Sequence, residues 1–306
     1  MQKTIQNFAA AIDLAKSKVR HGPQKITLFG GNTTNGDGKP LSQRGTFLLL
    51  YPGDLADAFV VPENFKNWNH FGVYDDLLSF EEDVCALVDS VVVFLESPGA
   101  IAEFGALIKN KDIAPKLFVV VNKEFEEDSF IGYGLVKYLT HNYSKTVNFI
   151  SSQSSELLKE EAHFIINEMK ERFKKIPKTE KFTKSITRHI FYTIIDFVDL
   201  LQVARISDIQ LFLTELKIQI PKKRLEQLLL ALKNVDALEE SKVLNERCFT
   251  VKSSAIPSIE YSFLPGTTSK RMSWKAIMFS KTMEDKWRAF AYKVLKVDAA
   301  EKKNVA

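Results

Sequence analysis

The sequence predicts an α/β protein: a doubly wound parallel sheet, followed by a mainly helical domain with the element order of a winged helix. Three observations lead there. Continuous apolar runs such as Ser90-Val91-Val92-Val93-Phe94 and Leu117-Phe118-Val119-Val120-Val121 fit strands covered on both faces. These runs alternate with helical patterns up to about residue 175, the signature of a parallel sheet. Beyond that point the pattern changes to helix, helix, helix and then two short strands.

Met1 to Arg20 reads as one amphipathic helix, because Ile5, Phe8, Ala9, Ile12, Ala15 and Val19 recur at helical spacing. It lacks the uninterrupted apolar core of a signal peptide. No apolar run approaches the roughly 18 residues that span a bilayer, so the expectation is a cytoplasmic protein with no membrane partner. His21-Gly22-Pro23 breaks the helix. Lys25 to Phe29 is strand one, running into the Gly30-Gly31-Asn32 loop. Thr46 to Tyr51 is expected as strand two, and Asp54 to Trp68 as a short helix and loop. Ser79 caps a helix to Leu87, with Glu82 three residues on. Asp89 to Leu95 is strand three, Ala100 to Lys109 its helix, and Lys116 to Asn122 strand four. Ile131 to Leu139 is a short helix or turn, Thr146 to Ile150 strand five, and Gln153 to Lys175 a long helix.

The polar stretch Lys174 to Lys181, with Pro177, marks a boundary between expected domains at 1–176 and 182–306. Ser185 to Val203 is a helix; Ser207 caps the next, Asp208 to Lys217. Pro221 suits the start of a third, Lys222 to Val235. Arg247 to Val251 and Ile259 to Phe263 read as a hairpin around Lys252–Ser258, and a last helix covers Lys270 to Leu295.

The 306 residues are 45% apolar and 26% charged, an ordinary globular balance. Lys and Arg number 19 against 23 Asp and Glu in residues 1–175, but 23 against 15 beyond. A basic second half suits a polyanionic partner; a merely solvated basic surface is the competing reading. Cys85 and Cys248 are far apart and read as buried thiols. No histidine falls in a triad-like or metal-ligand context, which disfavours nucleophilic serine chemistry; no metal and no resident cofactor are expected.

Chemistry is expected where strand three turns into its helix, Leu95-Glu96-Ser97-Pro98-Gly99-Ala100-Ile101-Ala102-Glu103. Ligands of open α/β sheets bind at the carboxyl ends of the strands. Ile101, Phe104, Gly105 and Ile108 share the face that packs on the sheet. Glu103 lies largely opposite, among small residues and near a helix N-terminus that favours its ionised form. It is the candidate catalytic carboxylate; a solvent-facing glutamate is the competing reading. Ser97 and Gly99 can present a hydroxyl and backbone N–H groups to a ribose or phosphate. Gly30, Gly31 and Asn32 form the turn after strand one, where glycine permits close approach. Tyr51 and Asn122 end strands two and four on the crevice side. Asp75 and Asp76 precede a helix, and one of them reads as its cap. In the second domain Lys222, Lys223 and Arg224 start the second helix of a helix–turn–helix, where phosphates are contacted. Lys252 lies in the expected wing, and Lys270 and Arg271 begin the last helix. The competing role for this domain is to hold protein partners.

The segment Ser97-Pro98-Gly99-x-x-x-Glu103-x-Gly105-Ala106 resembles the nucleoside deoxyribosyltransferase-like motif, in which a glutamate is the nucleophile. With Phe130-Ile131-Gly132-Tyr133-Gly134-Leu135-Val136-Lys137-Tyr138-Leu139, the chain resembles the effector toxins of retrons, which join this fold to a C-terminal winged helix. The resemblance implies a bacterial anti-phage toxin restrained by a reverse transcriptase and a multicopy single-stranded DNA–RNA hybrid, and it leaves room for higher-order assembly. Once freed, such a toxin cleaves an N-glycosidic bond, with NAD as substrate rather than cofactor. Glu103 matches the catalytic glutamate, Gly30 and Gly31 the first-strand turn, and Ser97 with Gly99 the pre-helix loop. The base-recognition residues of deoxyribosyltransferases have no match. Two alternatives stay open: a nucleotide-sensing DNA-binding regulator without turnover, and a glycosidase or transferase acting on other nucleotides.

Overall fold

The computed structural model describes residues 1–50, 58–61, 65, 72–126, 129–143, 146–151, 157–252, 258–268 and 270–305. The chain forms two compact units, one of residues 24–177 and one of residues 1–23 with 178–306.

Helix α1 (Gln2–Ala11) is followed by strand β1 (Ile12–Arg20), not by further helix. The helical spacing was misleading for a specific reason. The pairing of β1 shifts register between Asp13 and Lys18, and the shift moves the buried positions from Ile12 and Leu14 to Ser17 and Val19. A bulge of this kind breaks the two-residue period and imitates a helical one.

The 24–177 unit contains β2 (Ile26–Phe29), α2 (Gln43–Leu50), β3 (Phe59–Val60), α3 (Leu77–Leu87), β4 (Ser90–Phe94) and α4 (Pro98–Leu107). It continues with β5 (Leu117–Asn122), a π-helical turn (Ile131–Val136), α5 (Lys137–Asn142), β6 (Val147–Ile150) and α6 (Lys159–Lys175). Its five strands form one parallel sheet in the order β3-β2-β4-β5-β6. All five residues of β4 and the first five of β5 are buried, so helices cover both faces, as the apolar runs require. One face packs Val92, Phe94, Phe118 and Val120 against Phe47 of α2 and Ile165, Ile166 and Met169 of α6. Each such side chain contributes about 1.5–3 kcal/mol by leaving water.

The segment expected as strand two is α2. A four-residue run, Phe47-Leu48-Leu49-Leu50, does not by itself distinguish strand from helix. Capping decides it: Ser42 Oγ accepts from Gly45 N at 2.9 Å, and a carboxylate from another loop covers the next free donors. Asp76, not Ser79, caps α3, accepting from Ser79 N at 2.7 Å. Tyr51, most of Asp54–Trp68 and Gln153–Glu156 lie outside the described residues.

The other unit continues with β7 (Thr179–Lys181), α7 (Thr187–Leu201), α8 (Ile206–Glu215), α9 (Lys222–Asn234), β8 (Leu238–Val243), β9 (Glu246–Val251), β10 (Ser258–Phe263), α10 (Arg271–Glu284) and α11 (Lys286–Val305). Several expectations change here. The hairpin is β8 with β9, and β10 pairs antiparallel with β1 in a three-stranded sheet, β10-β1-β7. The first 23 residues therefore fold with this unit and not with the domain that follows them. Phe8 of α1 anchors them, stacking on Phe212 and meeting Tyr261 edge-on. Ser207 lies inside α8, whose start is held by Asp208 Oδ2 accepting from Arg205 N at 2.8 Å. The expected last helix breaks at Asp285 into α10 and α11. Arg288 of α11 then forms a buried two-bond ion pair with Asp208, at 2.7 and 2.9 Å.

Candidate active site

The strand order reverses between β2 and β4: the chain leaves β2 towards β3 on one side and β4 towards β5 on the other. Open sheets bind ligands outside the carboxyl ends of the strands at such a point. A cavity of about 580 Å³ opens there. Gly31 and Asn32 after β2, Leu41–Gln43 at the start of α2, Leu95–Pro98 with Ile101 after β4, and Asn122, Glu124 and Phe125 after β5 line it.

Glu96 organises this cavity. It directly follows the buried run of β4, and its carboxylate accepts three backbone donors. Gly31 N and Arg44 N reach Oε1 at 2.9 and 3.1 Å, and Gln43 N reaches Oε2. The negative charge thus sits at the N-terminus of α2, where the macrodipole favours it and where an anion would otherwise bind. A Cβ on Gly30 would stand 2.8 Å from Glu96 Oε1 and 3.0 Å from Arg44 Cβ; one on Gly31 would stand 2.9 Å from Ser42 Cβ. The two glycines make room for the protein's own carboxylate and arginine, a role their spacing alone did not reveal. Gly31 lines the cavity; Gly30 is not among the described lining residues.

Ser97 caps α4, accepting from Ala100 N at 3.2 Å, with Pro98 in the first turn. Gly99 is exposed beside it, with only Ser97 Oγ near a notional Cβ, at 3.9 Å. Asn122 ends β5, and its Oδ1 accepts from Glu124 N at 3.1 Å, turning the chain so that Glu124 and Phe125 form a wall. The fold thus brings together Gly31, Asn32, Ser97 and Asn122 of the expected residues. It adds Glu96, Gln43, Glu124 and Phe125. Of these, Glu96 was legible as the first polar residue after an apolar strand.

Glu103 is half-buried on α4 and is not among the described residues that line the cavity. Ser97 and Ile101 are one turn apart; Glu103, two residues on, is about 200° further round the helix. It lies within electrostatic reach of Cys85 on α3. Burial first, opposed by Lys116 and assisted by Glu81, Glu82 and Glu103, pushes that thiol well above its ordinary value. Among the described residues no cluster of three or more His, Cys, Asp or Glu could hold a metal.

The cations of the other unit divide into two sets. Arg271 is spent internally: its Nε donates to Asp196 at 2.9 Å and its Nη2 to Asp199 at 2.7 Å. Burial would lower this guanidinium, but the charge of Asp196 and the hydrogen bonds to both aspartates hold it above its ordinary value. Lys252 pairs with Asp236 at 2.7 Å. Lys222 and Lys223 at the start of α9 and Lys270 before α10 are exposed, and Arg224 is half-buried, donating to Gln227 at 3.3 Å.

Comparison with known proteins bears on both units. The family model described as STM3845 retron effector protein matches residues 40–240, about two thirds of the chain. Two Escherichia coli proteins are similar. One, named "Retron Ec86 putative ribosyltransferase/DNA-binding protein", is 28% identical over 177 residues, covering 53% of this chain and 55% of that protein. The other, named "Retron Ec73 putative ribosyltransferase/DNA-binding protein", is 34% identical over 155 residues, covering 49% and 48%. The chain spans about half the length of the curated relatives it matches.

Proposed function

Because this chain belongs to the STM3845 retron effector family, we propose that it is the toxic effector of a retron anti-phage system and hydrolyses the N-glycosidic bond of NAD or a related nucleotide. The observation that carries this reading is the switch-point cavity, bounded by the start of the helix that bears Glu103. The relatives' ribosyltransferase names fit the same class of chemistry. In this reading the 24–177 unit has a nucleoside deoxyribosyltransferase-like fold. The substrate then extends from the cavity past the first turns of α4, so that C1′ of its ribose meets Glu103 outside the described lining. The ionised carboxylate attacks or stabilises that carbon as the bond to the base breaks, and water completes the hydrolysis.

The measurement is nucleotide loss, followed by mass spectrometry after induction in cells and with the purified protein. Glu103→Gln should keep the fold and lose at least about a thousandfold in turnover. Retained NAD cleavage by that variant would remove Glu103 from the role.

For residues 178–306 we propose a winged-helix domain, supported by the order α7, α8, α9 and the β8–β9 hairpin, that holds the reverse transcriptase and its DNA–RNA hybrid. Lys222, Lys223 and Lys270 are the phosphate contacts in this reading, and binding to the hybrid weakens steeply as salt rises. The exposed lysines at the start of α9 also favour a second reading, a DNA-binding regulator without turnover. That protein would bind duplex DNA with sequence preference and leave every nucleotide intact.

A further inference from the structure

The cavity wall that follows β5 is tied to the π-helical turn beyond it. Phe125 belongs to that wall. Its carbonyl oxygen accepts from Ser129 Oγ at 3.0 Å, and the same Oγ accepts from Gly132 N at 2.9 Å. A serine hydroxyl has one proton to donate and lone pairs to accept with. Ser129 gives its proton to the wall and takes an N–H from the start of the π-helix, where such donors lack a partner within the helix.

Gly132 lets the two backbones meet. It is buried, and a Cβ on it would stand 2.5 Å from Phe125 O and 2.7 Å from Glu126 O. Both are main-chain atoms, so a side chain there would push the wall or the turn out of place. Gly134, two residues on in the same turn, is different. The three atoms nearest a Cβ on it belong to the ring of Phe130, the closest at 3.3 Å. That ring is 79% exposed and can give way. A π-helical turn is itself rare and tends to occur at functional sites.

We infer that Ser129 and Gly132 are positioning residues for the substrate: through the Phe125 backbone they hold the wall against which the bound nucleotide packs. This rests on the N-glycosidase reading and adds to it two residues that are not among the described cavity lining. The wall follows β5, whereas Glu103 lies on α4. Contacts with the wall are made alike by the bound substrate and the transition state, so loosening it raises KM and spares kcat.

The test is steady-state NAD⁺ hydrolysis by the purified full-length chain and its variants. Ser129→Ala should raise KM about five- to tenfold, the worth of one hydrogen bond, with kcat within about twofold. Ser129→Thr, which keeps the hydroxyl, should restore KM. Gly132→Ala should raise KM by about tenfold or more, and Gly134→Ala should leave it unchanged. On a Phe125→Ala background Ser129→Ala should add less than about twofold, because it acts through that residue. An unmoved KM in Ser129→Ala and Gly132→Ala, a loss confined to kcat, or additivity with Phe125→Ala overturns the inference and leaves the glycosidase standing. No hydrolysis by the wild-type chain overturns the glycosidase reading and the positioning role with it.

Discussion

Glu180 of β7 receives two imidazoles on one carboxylate oxygen: His189 Nε2 at 2.8 Å and His21 Nε2 at 3.1 Å. Thr183 N donates to His189 Nδ1 at 2.9 Å, which places the ring proton on Nε2. The hydrogen bond from His189, then that from His21, holds the Glu180 carboxyl far below the usual carboxylate range. A carboxyl depressed in the folded state stabilises the fold above its unfolded pKa and loses that contribution as pH falls. The 1–23/178–306 unit should therefore weaken as pH drops below about 4.3. Glu180→Gln should flatten that acid limb when urea midpoints are measured across pH; parallel curves for the two proteins would reject the assignment. Gly45 makes a second prediction at the same scale. A Cβ there would stand 1.9 Å from the Thr33 carbonyl oxygen, and neither backbone can yield without moving α2. Gly45→Ala should cost about 3 kcal/mol or more in urea unfolding of the 24–177 unit, whereas an alanine at exposed Gly36, with nothing within 4 Å of its Cβ, should not.

At the scale of elements, the α1–β1 segment offers the clearest test. Phe8 is buried among Phe212, Tyr261 and Trp274, with ring centroids 5.2 to 5.4 Å away. Phe8→Ala should destabilise the unit of residues 178–306 by about 3–5 kcal/mol, and hydrogen exchange should report the loss in α7, α8 and α10 while β4 and β5 keep their protection. Which elements were legible follows from the origin of their signal. Strands β4 and β5 could be read because consecutive Val, Leu and Phe are what a doubly covered strand needs, and β2 and β6 from shorter apolar runs beside turn signals. Strand β1 could not, because its identity depends on partners at residues 179–181 and 258–263. Helix α2 was misread because what fixes it is the Glu96 carboxylate, 53 residues from Gln43. In the site, Ser97 and Asn122 were legible as the ends of strand–loop steps. The reason for Gly30 was not, since the atom it avoids belongs to another loop.

For the whole molecule, the basic half of the sequence is less available to a polyanion than its count suggests. Arg247 pairs with Glu226 and Glu240, Lys233 with Glu240, Lys275 with Asp199, and Arg288 with Asp208. These charges hold elements together, while Lys222, Lys223 and Lys270 are solvent-exposed. The division of the chain also departs from a simple tandem: residues 24–177 are inserted within the other unit, and His21 N donates to Lys178 O where the chain returns.

That return has a consequence on the ribosome. Ile12 pairs with Phe263, about 250 residues later, and at cellular elongation rates that stretch takes on the order of ten to fifty seconds to make. Every strand of the inserted sheet is synthesised inside that interval. The unit bearing Glu103 can therefore complete its sheet while residues 1–23 still hold Phe8 and Ile12 uncovered. The segment carrying Phe8 and Ile12 is made before the inserted sheet and finds its place after it, so its apolar side chains are open to a chaperone throughout that interval.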